Sequence, residues 1–463
     1  MDSTLACLAA WMPRQRWYAA KARLPSLRLV SWWDLPAQDC VVRTFLVADE
    51  GALPAVLYQI PVVARATASV DASPDHIIGS PEPGTTFIDG PFDPAYSRAL
   101  LKLIGEGAAA RGPHMSVSGH PSHELDTSVA RSADVLAGEQ SNTSLIYRAD
   151  DGSTPIICKV FRQLHPGLNP DIELTTALAA AGSPHVPPAI GSVDGEWPDG
   201  ATAGGMVRGS LAFAQEFLPG VEDAWRVALR AAAAGEDFAE RARTLGEATA
   251  NVHVSLAQLF PTHSPGPEDR EAMAATWRRR LAIAIAEVPA IAERKTAVEE
   301  VYERALDAEW PPLQRIHGDY HLGQVLQHPT RGWVLLDFEG EPLRPMAERT
   351  RPDLALRDVA GMLRSFDYVA GSIRLDRPDG SSTAVGEWVR TARKGFVEGY
   401  ARISHVDLGA QSDLLSALEL DKAVYEAIYE SRNRPTWVTI PLRAIARILE
   451  RPTERPAEPP SAG

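Results

Sequence analysis

Cysteine is scarce: Cys7, Cys40 and Cys158 are the only three in a chain of 463 residues. They show neither metal-ligand spacing nor a disulfide framework, so reduced thiols in a cytoplasmic protein are the expectation. Positive charge is also short, with 46 Lys plus Arg against 60 Asp plus Glu and a formal net charge of −14. That balance disfavours nucleic-acid binding by phosphate neutralisation. No apolar run approaches the roughly 18–20 residues a membrane span needs, and the start MDSTLACLAAWMPRQRW has no charged region leading into a long apolar core. A soluble, unexported chain is expected. Internal repeats are missing, and so is a GxGxxG loop, so any phosphate-binding turn must use other residues.

What is present suffices for two or three packed domains, since 45% of the residues are hydrophobic. Over residues 1–90, short alternating runs such as VVRTFLVAD and ALPAVLYQIPVV predict a β-rich N-terminal domain. SPEPGTTFIDG is rich in turn formers and places a boundary near residue 90. Residues 91–216 read as a small α/β lobe. There ADVLAGEQSNTSLIYR and PIICKVFR flank the turn ADDGS as a hairpin, and Asn169 or Asp171 caps a helix opened by Pro170 and closed by Gly182. Residues 217–450 read as a helical lobe with two short strands. The tail 451–463, RPTERPAEPPSAG, is too polar and Pro-rich to pack and is expected to be disordered.

The chemistry concentrates in QRIHGDYHLGQVLQHPTRGWVLLDFEGEP, residues 314–342. Phosphoryl transfer from ATP to a hydroxyl needs one carboxylate beside the attacking oxygen, and a separate carboxylate-plus-amide pair to hold magnesium against the phosphates. Asp319 in HGD, Gln324 five residues later and Asp337 at the end of an apolar run are those groups in that order. HGD alone would read equally as an ordinary turn; the added Gln and strand-borne Asp make coincidence a poor explanation. Lys159 in IICKVFR, alone, would be a solvent-facing strand residue. Its place after a hairpin and ahead of Glu173 in a helix suits a lysine meeting ATP phosphates, with Glu173 as its ion partner. Ser141, Asn142, Thr143 and Ser144 are the turn residues available to phosphate. The run FAQEFLPG lies where a two-lobed kinase has its hinge, with the backbone at Gln215, Glu216 and Phe217 bonding adenine.

Beyond Asp337, Arg357-Asp358 opens an amphipathic helix in which Asp358 reads as structural, tying the catalytic segment to that helix. Lys422, Tyr425 and Tyr429 recur at i, i+3 and i+7 on one helix face, a mixture of charge and aromatic surface that suits a sugar. Glu426, Glu430 and Trp437 are further candidates there. The alternative for this face is a half-buried structural stripe.

Together GEQSNTSLIY, KVFR, NPDIEL, HGDxHLGQVL, DFEGEP, RDVAGMLRSFDY, DKAVYEAIYE and RPTWVTIPLR resemble the maltokinases of the aminoglycoside-phosphotransferase-like superfamily, with a weaker likeness at MPRQRWYAAKAR. The resemblance implies an α+β class, a bilobal protein-kinase-like fold with an N-terminal β-rich cap, ATP with Mg2+, and maltose 1-phosphate as a product feeding α-glucan synthesis. Carried over, Asp319 would be the base, Gln324 and Asp337 the magnesium ligands, Lys159 and Glu173 the phosphate lysine and its partner. Lys422, Tyr425, Glu426 and Tyr429 would lie on the acceptor helix. Ala20 departs from the glycine usual after RWYA, a difference confined to the cap. A monomer is expected, with trehalose synthase a candidate partner for the cap. Rival readings are a kinase for glucosamine, glucose or an aminoglycoside, and a nucleotide-binding regulator without catalysis.

Overall fold

The computed structural model describes residues 2–21, 23–138, 141–200, 204–341, 344–376 and 382–450. The tail 451–463 lies outside the described residues. The chain forms two compact units, one of residues 1–182 and 186–220, the other of residues 183–185 and 221–463. Both follow the α+β pattern, the first β-rich and the second helical.

The first unit opens with α1 (Asp2–Trp11) and an antiparallel sheet in the order β1 (Leu27–Leu35), β2 (Val41–Asp49), β3 (Val56–Ala66), β5 (Thr85–Asp89), β4 (Ile77–Glu82). Its inward aromatic residues, Trp11, Trp17, Tyr18, Phe45, Tyr58 and Phe87, build a core beneath α1. Helix α2 (Pro94–Gly105) follows, N-capped by Asp93, whose carboxylate accepts from Ala95 N. A second, seven-stranded sheet runs in the order β6 (Ala109–Gly112), β7 (Met115–Pro121), β12 (Ala189–Pro198), β13 (Met206–Glu216), β10 (Ile156–Phe161), β9 (Asn142–Ala149), β8 (Arg131–Val135).

The sequence places a boundary near residue 90; there the chain passes from the first sheet to the second, and the two sheets pack together in one unit. The short strand β11 (Gln163–Leu164), downstream of β10, pairs with β3 of the first sheet. Trp33, Leu35, Val42 and Leu46 share one hydrophobic core with Leu145, Val160 and Phe213 of the second sheet. Two buried polar links add to this. Gln59 Nε2 donates to the carbonyls of Phe161 and Leu211, and Arg162 Nη2 donates to both Asp89 oxygens at 3.0 and 2.9 Å. Turn residues near position 90 therefore mark a change of sheet within one packed body, since a break in chain direction does not require a break in the core.

Helix α3 (Pro170–Ala180) starts where the sequence predicts: Asn169 Oδ1 accepts from Asp171 N at 2.8 Å, Pro170 takes the first position, and Gly182 beyond the end adopts φ +75°.

The second unit contains a small sheet, β14 (Glu222–Asp223), β15 (Val325–His328) and β16 (Gly332–Leu335), and the helices α4 (Ala224–Ala234), α5 (Ala239–Leu259), α6 (Pro267–Glu287), α7 (Lys295–Asp307), α8 (Met346–Arg349), α9 (Leu356–Asp376), α10 (Ser382–Ser404), α11 (Ser412–Asn433) and α12 (Thr439–Leu449). Helix α9 is the central one, burying fourteen of its residues against neighbours on several sides. The loop between α7 and β15 carries HGD, and the loop after β16 carries Asp337, so both lie beside this small sheet. No described helix is long and apolar enough to cross a membrane.

Candidate active site

In the first unit the site is built on β10 and α3. Lys159 lies on the strand between β9 and β13, and Nζ donates to Asp171 Oδ2 at 3.0 Å. Asp171, in the first turn of α3, is buried, and its other oxygen accepts from Thr175 Oγ1. The sequence names Glu173 as the partner of Lys159; Asp171, two residues earlier on α3, is a partner of this lysine that it did not name. Asp171 is buried where Glu173 is half-exposed, and at neighbouring helical positions that difference reflects which side faces the sheet.

The four turn residues separate by strand alternation. Ser144 is cross-strand neighbour to Lys159 and shares its face; Thr143 pairs with Val160, which is fully buried on the opposite face. Thr143 Oγ1 accepts from Arg162 Nε at 2.8 Å inside the core, which corrects its expected role toward phosphate. Ser141 is exposed just before β9, and Asn142 is half-buried at its start. The hinge expectation narrows as well. Glu216 N donates to Pro188 O and Phe217 N to Pro155 O, so both of these N–H groups are already engaged within the chain. Gln215 lies within the ladder, opposite Ile157 and Ala189.

In the second unit the HGD loop is held from behind. Asp358, buried in the first turn of α9, accepts from His317 N at 2.8 Å and Gly318 N at 2.9 Å, and binds His253 Nε2 at 3.0 Å. Burial pushes its carboxyl up, but the bonds from His253 and the loop amides outweigh this and hold it below the ordinary range. The tying role read for Asp358 is thus the one its bonds perform. His317 Nε2 bonds Leu336 O, linking the loop to the segment carrying Asp337. Gly318 takes φ +83°, which lets two successive amides point at one carboxylate.

Asp319 follows with its side chain 22% exposed. The next residue, Tyr320, turns inward, and its hydroxyl meets Thr249 Oγ1. His321 caps a short turn, Leu322–Gln324, by accepting from Gly323 N at 3.0 Å, and that turn sets Gln324. Burial lowers the His321 pKa, keeping a neutral ring beside Asp319. The strand β16 ends at Leu335, two residues short of Asp337, which takes a left-handed φ of +66°. Asp tolerates that region better than most residues, and such backbone is characteristic of functional loops. Gln324 Nε2 donates to Asp337 Oδ2 at 3.0 Å. The amide and carboxylate together offer hard oxygen donors only, the set that suits Mg2+ and not a soft metal.

Glu341, to which the motif reading gives no role, shares a lysine with Asp319. Lys422, on α11, lies 3.4 Å from Asp319 Oδ1 and 2.7 Å from Glu341 Oε1. Glu341 belongs to DFEGEP and is buried. Burial pushes its carboxyl up, but Lys422, Arg280 and Arg344 outweigh this and hold it down at about 2. Lys422 is raised from its ordinary value, its burial overcome by Glu341 and Asp319. Behind it the charges alternate: Arg280 bonds Asp421 at 2.5 Å, Arg357 bonds Asp353 at 2.8 Å, and Arg344 reaches both Glu341 and Asp353. No spacing rule identifies Arg280 or Asp421; in sequence they are one arginine and one aspartate on long helices.

The predicted α11 face is divided. Lys422 Nζ lies 5.3 Å from the Tyr425 ring centroid, with Arg280 5.2 Å from the same ring. Burial and then Glu341 push the Tyr425 phenol up to about 12, leaving it a neutral hydroxyl. Tyr429 is 43% exposed under Arg434. Glu426 corrects its expected role: Oε2 accepts from Arg364 Nε and Nη2 at 2.9 and 2.7 Å in the interior. Glu430 likewise binds Tyr368 and Arg434, and Trp437 stacks on Tyr368.

Residues 11–93 match the maltokinase N-terminal cap domain, and residues 133–403 match the phosphotransferase enzyme family. Two curated relatives are glucosamine kinases. That of Streptacidiphilus jiangxiensis is 32% identical over 255 residues, 52% of this chain and 58% of the relative. That of Mycolicibacterium smegmatis is 31% identical over 253 residues, 51% of this chain and 62% of the relative. The chain thus spans about three fifths of the length of these relatives. A solved glucosamine kinase in complex with glucosamine, ADP and inorganic phosphate superimposes with a TM-score of 0.68 at 24% identity, covering 96% of this chain and 98% of that one. That likeness concerns the fold. With more than half its length matched, the chain belongs to the phosphotransferase enzyme family and carries a maltokinase-type cap domain.

Proposed function

We propose that the protein transfers the γ-phosphoryl group of ATP, with Mg2+, to the anomeric hydroxyl of maltose, giving maltose 1-phosphate. The carrying observation is Asp319, on a loop fixed by Asp358, with its carboxylate against a lysine that Glu341 anchors. A carboxylate so placed accepts the proton of an attacking hydroxyl. Gln324 and Asp337 would hold Mg2+, which supplies charge neutralisation on the phosphates. Lys159 would meet those phosphates, with Asp171 and Glu173 as its acidic neighbours and Ser141, Asn142 and Ser144 as nearby polar groups. The backbone around Gln215 to Phe217 would meet adenine. Lys422, Tyr425 and Tyr429 would contact the disaccharide, with Glu426 bracing Arg364 behind them.

Support for maltose comes from the maltokinase-type cap and from the aromatic-plus-charged face of α11. A specific observation favours a second acceptor: the two curated relatives named above are glucosamine kinases, and Glu341 and Asp319 offer negative charge that suits an ammonium group. In the maltose reading the product feeds α-glucan synthesis in the cytoplasm, and a monomer acts alone or with trehalose synthase docked on the cap.

The deciding experiment is ADP release with ATP, Mg2+ and a panel of maltose, glucose, glucosamine, trehalose and kanamycin, with NMR of the phosphorylated carbon. Maltose-dependent turnover yielding an anomeric phosphate supports the proposal. Faster turnover with glucosamine transfers the assignment to that sugar, and silence with every acceptor despite ATP binding leaves a nucleotide-binding regulator.

A further inference from the structure

A cavity of about 220 Å³ in the second unit lies between α9, α10 and one face of α12. A water occupies about 30 Å³ of liquid, so this space holds more than isolated solvent. Three arginines, Arg374, Arg443 and Arg447, line it against one acid, Asp367. Asp367 already accepts from Arg364, Arg393 and Arg447, and Arg447 also bonds Glu419. Among the described residues, Arg374 and Arg443 make no ion pair. Arg374 Nε is buried with no hydrogen-bond partner, although a buried N–H is ordinarily satisfied. Burial, and then the charge of Arg443, act against the Arg374 cation. Thr439 also lines the cavity; it is the first residue of α12, whose N-terminus no side chain caps.

We propose that this cavity binds a small phosphate monoester, its dianion bridged by Arg374 of α9 and Arg443 of α12. Guanidinium forks match phosphate oxygens two at a time, and a doubly charged oxyanion removes the repulsion between the two arginines. The other walls are aliphatic, with Ala370, Leu375, Val389 and Ile440 among them, a surface that suits an organic group beside the phosphate. The site is separate from Asp319, Gln324 and Asp337 and does not depend on the acceptor chosen above.

Isothermal titration tests this on the full chain saturated with Mg2+ and a non-hydrolysable ATP analogue, which fills any nucleotide-phosphate site. The probes are sn-glycerol 3-phosphate and inorganic phosphate at constant ionic strength. Glycerol 3-phosphate should bind at one site more tightly than inorganic phosphate, and Arg443→Gln should weaken it roughly tenfold or more, as loss of a charge-assisted bond does. Arg443 is exposed, so that variant should keep the wild-type melting profile. Arg374→Lys, which keeps the charge and loses the fork, should also weaken binding. No binding to the wild type, or an unchanged Kd in Arg443→Gln, overturns the site; equal affinity for the two probes overturns the monoester assignment.

Discussion

Lys422 stands between two carboxylates and lies closer to Glu341 than to Asp319, 2.7 against 3.4 Å. Glu341 is therefore the anchor, and Asp319 keeps freedom to receive a proton. Asp319→Asn should lower kcat by about 10²- to 10⁴-fold, the range of a general base, while ATP binding measured by titration stays near wild type. A loss confined to ATP binding would place Asp319 elsewhere in the chemistry. Glu341→Gln has a second readout in stability. Its carboxyl is held near 2 in the folded chain against an ordinary 4.5, so its ionised form stabilises the fold above about pH 4.5, and that contribution disappears as pH falls toward 2. Urea unfolding of the wild type between pH 5 and pH 3 should therefore show a steeper fall than that of Glu341→Gln, whose amide does not titrate. Parallel slopes would mean that Glu341 is not clamped by Lys422, Arg280 and Arg344.

Helix α9 carries the support of the catalytic loop on its first two turns. Asp358 takes two loop amides, and Gly361 lies against the Tyr320 carbonyl, where an added Cβ would come within 2.6 Å of oxygen. Asp358→Ala leaves those amides unanswered in a buried place and should destabilise the chain by about 3 kcal/mol or more, counting two bonds to a buried charge. Gly361→Ala must displace backbone, not a flexible side chain, and should cost about 1–3 kcal/mol. Its kcat should fall with it, since the displaced carbonyl adjoins Asp319; thermal melting and steady-state kinetics together check both. The Asp358 tie was legible in sequence because an acid at a helix start facing a catalytic motif has few other uses. The Gly361 contact was not, because its meaning depends on how closely two backbones approach.

At the scale of the whole molecule, the cap is bound into the body of the first unit. Arg162 is fully buried, bonded to Asp89 and Thr143 and set over Trp17 at 5.0 Å. Arg162→Ala strands the buried Asp89 charge and should cost about 3–5 kcal/mol, seen as a lowered denaturant midpoint. Deleting residues 1–90 would expose β11 and the Leu145–Val160–Phe213 side of the shared core. The truncated chain should accumulate in the insoluble fraction; a soluble, cooperatively melting product would show that the cap is a separable domain. The sequence by itself determined the β-rich start, the helical second half and the cap of α3, and it singles out Asp319, Gln324 and Asp337 as candidates, because propensity, capping and motif spacing act within a few residues. Only the tertiary structure decided that Lys159 bonds Asp171, that Thr143 and Glu426 turn inward to arginines, and that Glu341 holds Lys422. Those outcomes turn on which face of a strand or helix is buried and which distant charge lies within about 3 Å, and hydrogen bonds and buried ion pairs are decided at that range.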